Sequence, residues 1–116
     1  MRYEKLAVWQ RSVDVAVEVY RCMKPCKDYG FKDQICRSAV SIASNIAEGS
    51  ERAYPKEHKQ FLSFAKGSVG ELKTQLIIGE KIGYISSSQS KELKNECEAI
   101  SRILGALIKK INELEG

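Results

Sequence analysis

The chain has 116 residues, and its 43% hydrophobic and 29% charged content is typical of a soluble globular domain with its own core. The formal net charge of +4 is a mild excess, which permits an anionic partner without requiring one. The sequence has no apolar run of the roughly 20 residues that cross a membrane and begins without a secretory signal, so we expect one cytoplasmic domain over residues 1–116 with no membrane partner.

Three breaks, at 25–30, 50–55 and 83–88, divide the chain into four segments of helical periodicity. The first segment covers about 3–24 and carries two apolar lines roughly 130° apart. We expect the first line to face the core: Leu6, Trp9, Val13, Ala16, Val17 and Tyr20. The second line is predicted to contact another subunit, the alternative being scattered surface valines: Val8, Val15, Val19 and Cys22.

The second segment covers about 31–48 and has an apolar face formed by Ile35, Ala39, Ile42 and Ile46. A polar stripe lies roughly 110° from the centre of that face, so it flanks the core: Gln34, Arg37, Ser38, Ser41, Asn45 and Glu48. Such a stripe predicts either hydrogen bonds that fix the register against the third segment or a recognition surface. The other flank adds Val40, Ala43 and Ala47 to the predicted subunit contact, and Gly49 is expected to end the helix.

The third segment begins at Pro55, a favoured residue in a first helical turn. Its apolar seam repeats at three-four spacing: Leu62, Ala65, Val69, Leu72 and Leu76. Glycine inside a helix costs about 1 kcal/mol relative to alanine, a cost that is tolerated where a neighbour must come close. We therefore expect Gly67 and Ser68 to face the polar stripe, with Glu71 close to it.

The fourth segment begins among Ser86, Ser87 and Ser88, which are suitable N-caps. It carries a heptad seam: Leu93, Cys97, Ile100, Leu104, Leu107, Ile111 and Leu114. Short connections between four helices predict an all-α, antiparallel up-down-up-down four-helix bundle.

Motifs for catalysis or metal binding do not stand out in the sequence. A di-iron site in a bundle needs two Glu-x-x-His pairs, whereas His58 is the one histidine and Pro55 lies three residues before it. Cys22 and Cys26 lie four residues apart, but a zinc site needs two more ligands. We therefore expect no catalytic residue, no metal, no cofactor and no enzyme activity, with cysteines that remain free thiols.

Up-down topology brings the first and third connections to one end of the bundle, where basic residues outnumber acidic ones. The candidate nucleic-acid-binding residues at this end are Arg21, Lys24, Lys27, Lys32, Arg37, Lys73, Lys91 and Lys94. Tyr29 and Phe31 lie beside them and are candidates for stacking on unpaired bases, although Phe31 also suits the core. The alternative function is a protein-interaction scaffold. Its basic end would then bind an acidic protein or only keep the chain in solution.

The chain resembles the four-helix bundle proteins encoded in intervening sequences of bacterial 23S ribosomal RNA genes. The resemblance spans nearly the whole chain and is carried by Trp9, Tyr20, the phrase Ser-Ile-x-x-Asn-Ile-Ala-Glu-Gly at 41–49 and the phrase Gly-Ser-x-x-Glu-Leu at 67–72. The fold is similar to that of the accessory variability proteins of diversity-generating retroelements. These resemblances imply a non-catalytic homopentameric barrel. They imply as partners further copies of the chain and structured RNA or DNA, or an enzyme acting on nucleic acid, because the retroelement proteins bind a reverse transcriptase and nucleic acid through a basic surface.

Overall fold

The computed structural model describes residues 6–115, apart from the side chain of Glu115. These residues form four helices: α1 (Ala7–Met23), α2 (Tyr29–Ser50), α3 (Pro55–Lys81) and α4 (Ser87–Glu115). Within this part of the chain there is no strand, which confirms the all-α prediction. The predicted start of the first helix, near Tyr3, lies outside the described residues, and Leu6 is extended immediately before α1.

The helices pack side by side in chain order, and α1 closes the bundle against α4. The first and third connections meet at one end, where the Tyr84 hydroxyl donates to the Asp28 carboxylate at 2.9 Å. At the other end, Lys59 on α3 donates to Asn112 on α4 at 2.7 Å. Neighbouring helices therefore run antiparallel, as the short connections predict.

The core face of α1 differs from the predicted one, although Leu6, Trp9 and Ala16 of the predicted line are partly buried against the core. Val8, Val15, Val19 and Cys22 are buried, whereas Val17 and Tyr20 are 42% and 52% exposed. The predicted subunit contact at the four buried residues is therefore wrong, because the other helices of the same bundle cover them.

Ser12 explains why the core line of α1 was misidentified. Its side chain is fully buried, and its hydroxyl donates to the Val8 carbonyl at 2.7 Å. A serine that satisfies its own hydroxyl in this way can take an apolar position. With Ser12 counted as a core residue, the line 8, 12, 15, 19, 22 has the spacing of a bundle seam.

Asp28 and Gly49 account for the observed extent of α2. The Asp28 carboxylate accepts from the Phe31 amide at 3.1 Å, so the helix begins two residues before the predicted start. At its other end the helix continues through Gly49, and the predicted stop there is wrong. A Cβ atom at Gly49 would lie 3.0 Å from the Phe61 Cβ and 3.1 Å from the His58 carbonyl oxygen, so glycine lets the start of α3 come close.

Candidate interaction surfaces

A groove between α1 and α2 leaves apolar side chains of both helices uncovered. Its volume is about 700 Å³. Apolar side chains of both helices form its walls: Trp9, Val13, Ala16, Val17 and Tyr20 from α1, with Val40, Ala43 and Ala47 from α2. Arg21, Lys24 and Lys32 form a basic rim at the end near the first connection. We call this surface the α1–α2 groove.

The residues of the predicted subunit contact fall into two groups. Val40, Ala43 and Ala47 line the α1–α2 groove, where a partner can reach them. Their predicted companions on the first segment, from Val8 to Cys22, lie in the core instead. The groove is completed by the α1 residues that sequence reasoning assigned to the core, and Trp9 and Tyr20 are the largest of these.

In the polar stripe of α2, Ser41 hydrogen-bonds to α3, whereas the hydrogen bonds of Asn45 stay within α2. The Ser41 hydroxyl shares a hydrogen bond of 2.8 Å with the hydroxyl of Ser68 on α3. The Asn45 amide donates to the carbonyl and to the hydroxyl of Ser41, at 2.9 and 3.0 Å. Gly67 does not take part, because its Cβ position is open to solvent.

The remaining stripe residues lie outside this hydrogen-bonded set. Glu48 is exposed and pairs with Arg52 on its own helix. Gln34 and Glu71 are exposed and line a shallow polar groove between α2 and α3, together with Arg37 and Gln75. The Oε1 atom of Gln75 is buried there without a hydrogen-bond partner among the described residues. Sequence reasoning missed Gln75, which lies seven residues beyond Ser68 on the same side of α3.

The basic residues nearest the first connection form one cluster. Arg21, Lys24 and Lys27 are exposed, and the Lys32 ammonium donates to the Lys24 carbonyl at 3.4 Å. Within residues 6–115, neither Lys24 nor Lys27 has an ion pair, whereas Arg21 pairs with Glu18 at 3.5 Å. We call Arg21, Lys24, Lys27 and Lys32 the basic cluster.

The other four candidate cations lie apart from the basic cluster or are paired with carboxylates. Arg37 pairs with Asp33 at 2.8 Å, and this contact raises the pKa of the arginine. Lys73 donates to Glu98 at 2.8 Å and thereby lowers the pKa of that carboxyl, and Lys94 lies 3.6 Å from Glu80. Lys91 is exposed and has no ion pair in the described part of the chain. Their charge is therefore more fully neutralised than that of the basic cluster.

Of the two predicted stacking aromatics, the structure leaves Tyr29 accessible. The residue is 71% exposed, and the Lys32 ammonium lies 6.0 Å from the ring centroid. Phe31 is half-buried and packs edge-to-face on Tyr84, with 5.4 Å between ring centroids. Phe31 therefore packs where the first and third connections meet. The ring of Tyr29 stays accessible to a planar ligand.

All four cysteines are buried free thiols. Burial raises the pKa of Cys22 and of Cys36, and raises that of Cys97 to about 12. In the described residues, no group of three or more His, Cys, Asp or Glu side chains is arranged to hold a metal ion. None of the described helices is long and apolar enough to cross a membrane.

Comparisons with known proteins agree with this architecture. Residues 4–106 match the sequence model of the family described as 23S rRNA-intervening sequence protein. The fold is similar to a crystal structure from Bacteroides thetaiotaomicron, described as a protein with unknown function from the S23 ribosomal protein family. The TM-score is 0.83 at 25% sequence identity, over 89% of this chain and 99% of that one. No curated protein has significant sequence similarity to the chain.

Proposed function

Because the chain belongs to the 23S rRNA-intervening sequence protein family, we propose that it is a non-catalytic homo-oligomeric bundle that associates with structured RNA through its basic cluster. The oligomer proposed is a pentamer, the number that the family resemblance implies. The exposed α1–α2 groove is a surface on which such a partner could pack, because apolar side chains of both helices line it. An RNA partner fits the cytoplasmic location that we expect from the sequence.

The observation that carries the RNA proposal is the basic cluster beside Tyr29. Lys24 and Lys27 are exposed and lack carboxylate partners among the described residues, so they can neutralise phosphates without breaking an existing ion pair. Tyr29 offers a ring on which an unpaired base can stack. Repetition of this end in each copy of an oligomer multiplies the number of phosphate contacts. Backbone contact plus stacking favours RNA that contains both a helix and unpaired bases.

Salt-dependent binding tests this function. We would measure the affinity of the protein for a hairpin RNA with an unpaired loop by fluorescence anisotropy, across a series of salt concentrations. The logarithm of the binding constant should fall linearly with log salt, and the slope should shrink by about one for each phosphate contact that is lost per binding site. Lys24→Ala and Lys27→Ala should each weaken binding and reduce the slope.

The matched controls are Lys109→Ala and Lys110→Ala, which remove exposed lysines of α4 far from the basic cluster. They should change the affinity and the slope little. If all four variants behave alike, RNA contact is not localised at the basic cluster. Equal binding to a duplex DNA of the same length would contradict the preference for structured RNA.

The second candidate function is a protein-interaction scaffold that does not bind nucleic acid. The ion pairs favour it, because carboxylates already neutralise four of the eight candidate cations: Arg21, Arg37, Lys73 and Lys94. A protein that assembles normally and shows no salt-dependent RNA affinity would support the scaffold over the RNA-associated bundle.

A further inference from the structure

We propose that the polar groove between α2 and α3 binds one unpaired guanine of the RNA partner, and that Arg37 and Glu71 recognise the base. This inference rests on the proposed association with RNA. It adds a sequence preference, which the basic cluster cannot provide, because contacts with phosphates carry no information about sequence.

Polar residues line this groove, whose volume is about 420 Å³. They are Gln34, Arg37, Ser38 and Ser41 from α2, with Glu71 and Gln75 from α3. We call this surface the α2–α3 groove. Both serines already make hydrogen bonds inside the bundle. The Ser38 hydroxyl donates to the Gln34 carbonyl at 3.1 Å, and the Ser41 hydroxyl bonds to α3. The longer side chains therefore remain available to a ligand.

The register of the two helices puts Arg37 across the groove from Glu71. Ser41 and Ser68 share a hydrogen bond, so they lie opposite each other on antiparallel helices. Arg37 lies four residues before Ser41, and Glu71 lies three residues after Ser68. Both steps are about one helical turn toward the first and third connections, so the two charged residues lie at the same height on opposite walls.

Arg37 and Glu71 have opposite charges but do not pair with each other. The Arg37 Nε atom donates to Asp33 on its own helix at 2.8 Å, and its terminal nitrogens have no hydrogen-bond partner within residues 6–115. Glu71 is exposed and has no ion pair in the described part of the chain. One wall of the groove therefore offers a pair of N–H donors, and the other offers a pair of carboxylate acceptors.

Guanine is the RNA base that complements both pairs. Its O6 and N7 atoms are two adjacent acceptors, which an arginine binds through two parallel hydrogen bonds. Its N1–H and N2 amino groups are two adjacent donors, which a carboxylate can accept together. These two edges are neighbours on one planar ring system, so side chains from both walls of a shallow groove can reach them. Adenine offers neither a pair of acceptors nor a pair of donors along one edge.

Gln75 indicates that the groove lacks a hydrogen-bond donor. Its Oε1 atom is buried without a partner among the described residues, whereas buried polar atoms are nearly always hydrogen-bonded. The last torsion of a glutamine side chain has a broad range, so the amide can turn toward a ligand. Gln75 lies one turn beyond Glu71 on α3 and can accept the second hydrogen of the guanine amino group.

The α2–α3 groove lies at the same end of the bundle as the basic cluster. Arg37 is eight residues beyond Tyr29 on α2, which is about 12 Å along the helix axis. One RNA loop can therefore stack a base on Tyr29, place its phosphates on the basic cluster and insert a guanine into the groove. Arg37 keeps its bond to Asp33 in this arrangement, because the guanine uses the terminal nitrogens.

Base analogues in one hairpin loop test the contact atom by atom. The probe is a fluorescent hairpin RNA with a uridine loop that carries one guanine, and anisotropy measures its dissociation constant. Inosine lacks the amino group that Glu71 contacts, and 7-deazaguanine lacks the N7 atom that Arg37 contacts. Each analogue should weaken binding by about tenfold, the loss expected for one hydrogen bond to a charged group. Adenine, which changes both edges, should weaken binding more than either analogue.

Two variants connect each analogue to its residue. Glu71→Ala should bind the guanine and inosine loops equally, and Arg37→Ala should bind the guanine and 7-deazaguanine loops equally. The matched controls are Glu92→Ala and Arg102→Ala, which remove the same charges from exposed positions of α4. Both controls should keep the tenfold differences between guanine and its analogues. Circular dichroism checks that every variant is folded.

The outcomes separate this inference from the proposed function. If the RNA binds with the expected salt dependence but equally with guanine, adenine and both analogues, the inference alone is wrong. If guanine is preferred and the preference survives in Glu71→Ala and Arg37→Ala, another surface reads the base and the inference is again wrong. If the wild type binds no hairpin RNA, the proposed function and the inference both fail. Binding of free GMP in that case would mean that the groove takes a nucleotide instead of RNA.

Discussion

Ser41 on α2 and Ser68 on α3 share a hydrogen bond of 2.8 Å, and Asn45 donates to the same Ser41 hydroxyl at 3.0 Å. Two short side chains can meet in this way only when the helices lie close together and at one axial register. Ser68 is buried, so sliding either helix would leave its hydroxyl without a partner. The polar stripe thus aligns α2 with α3 where apolar contacts alone tolerate a shift.

Asn45→Ala should lower the free energy of unfolding by about 1 kcal/mol, the size expected for lost hydrogen bonds at a half-buried site. RNA affinity should stay unchanged, because Asn45 lies away from the basic cluster. Thermal and urea unfolding measure the first effect, and fluorescence anisotropy measures the second. Ser63→Ala, at an exposed position of α3 outside the α1–α2 groove, is the control. A variant as stable as the wild type with weakened RNA binding would assign the stripe to recognition instead.

Gly49→Ala and Gly70→Ala should have effects of opposite sign on stability. Alanine at Gly70 meets no atom within 4 Å and should stabilise α3 by up to about 1 kcal/mol. Alanine at Gly49 would press on the Phe61 Cβ and the His58 carbonyl, which is backbone and yields little. Its overpacking should outweigh the gain in helix propensity and give a net loss of about 1 kcal/mol. Urea unfolding measures the free energy of unfolding of both variants. Stabilisation by Gly49→Ala would show that α3 can move aside.

The ion pair between Arg11 on α1 and Glu96 on α4 should make stability depend on pH. Two hydrogen bonds, of 2.9 and 2.6 Å, join the groups and lower the pKa of the Glu96 carboxyl from 4.5. A lowered pKa in the folded state stabilises the protein above the unfolded pKa, and this contribution is lost as the pH falls through the folded pKa. Since both side chains are partly exposed, we expect about 0.5 kcal/mol at pH 7.

Glu96→Gln should therefore destabilise the bundle at pH 7, with a difference from the wild type that shrinks below about pH 4.5. Unfolding curves recorded between pH 3 and pH 7 measure this trend. Glu92→Gln removes a nearby exposed carboxylate that has no ion pair among the described residues, so its stability should track the wild type throughout. A constant deficit of Glu96→Gln at every pH would point to packing instead of charge.

The sequence was sufficient to predict the four helices, because their periodicity is long and the breaks between them carry proline, glycine and serine. It was also sufficient to place Ser41, Asn45 and Ser68 together, since a stripe that flanks the core must face a neighbouring helix. Tyr29 and Lys24 were expected beside a connection, and both are exposed there, whereas their contact with RNA stays a prediction. These predictions depend on local pattern and on which connections share an end.

The orientation of α1 could not be predicted from its pattern. Both of its lines are apolar, and the line that contains Trp9 and Tyr20 has the larger side chains. The bundle instead buries the line that contains Ser12, Val15 and Val19. Which line a helix buries depends on the shape of the surfaces opposite it, and that information lies elsewhere in the chain. Gly49 illustrates the same point, because its role depends on Phe61 and His58.

Cys97 should be the slowest of the four thiols to react in the folded protein. It is fully buried, and burial raises its pKa to about 12, so almost no thiolate forms at pH 8. Iodoacetamide labelling followed by peptide mass spectrometry should therefore modify Cys97 only at the rate of unfolding. Labelling in guanidinium is the control and should modify all four cysteines quickly. Fast native labelling of Cys97 would mean that α4 opens locally without unfolding of the bundle.

Tyr29→Ala should weaken binding to RNA that contains unpaired bases by about tenfold, because stacking of one base on an aromatic ring contributes about 1–3 kcal/mol. The salt slope should not change, since the variant keeps every cation of the basic cluster. Tyr29→Phe retains the ring and should bind like the wild type. Tyr54→Ala removes an aromatic ring of similar exposure at the opposite end of the bundle and is the matched control. Anisotropy titrations with a looped hairpin and with a fully paired duplex measure both affinities. An equal loss for both RNAs would mean that Tyr29 orders the basic cluster and does not stack on a base.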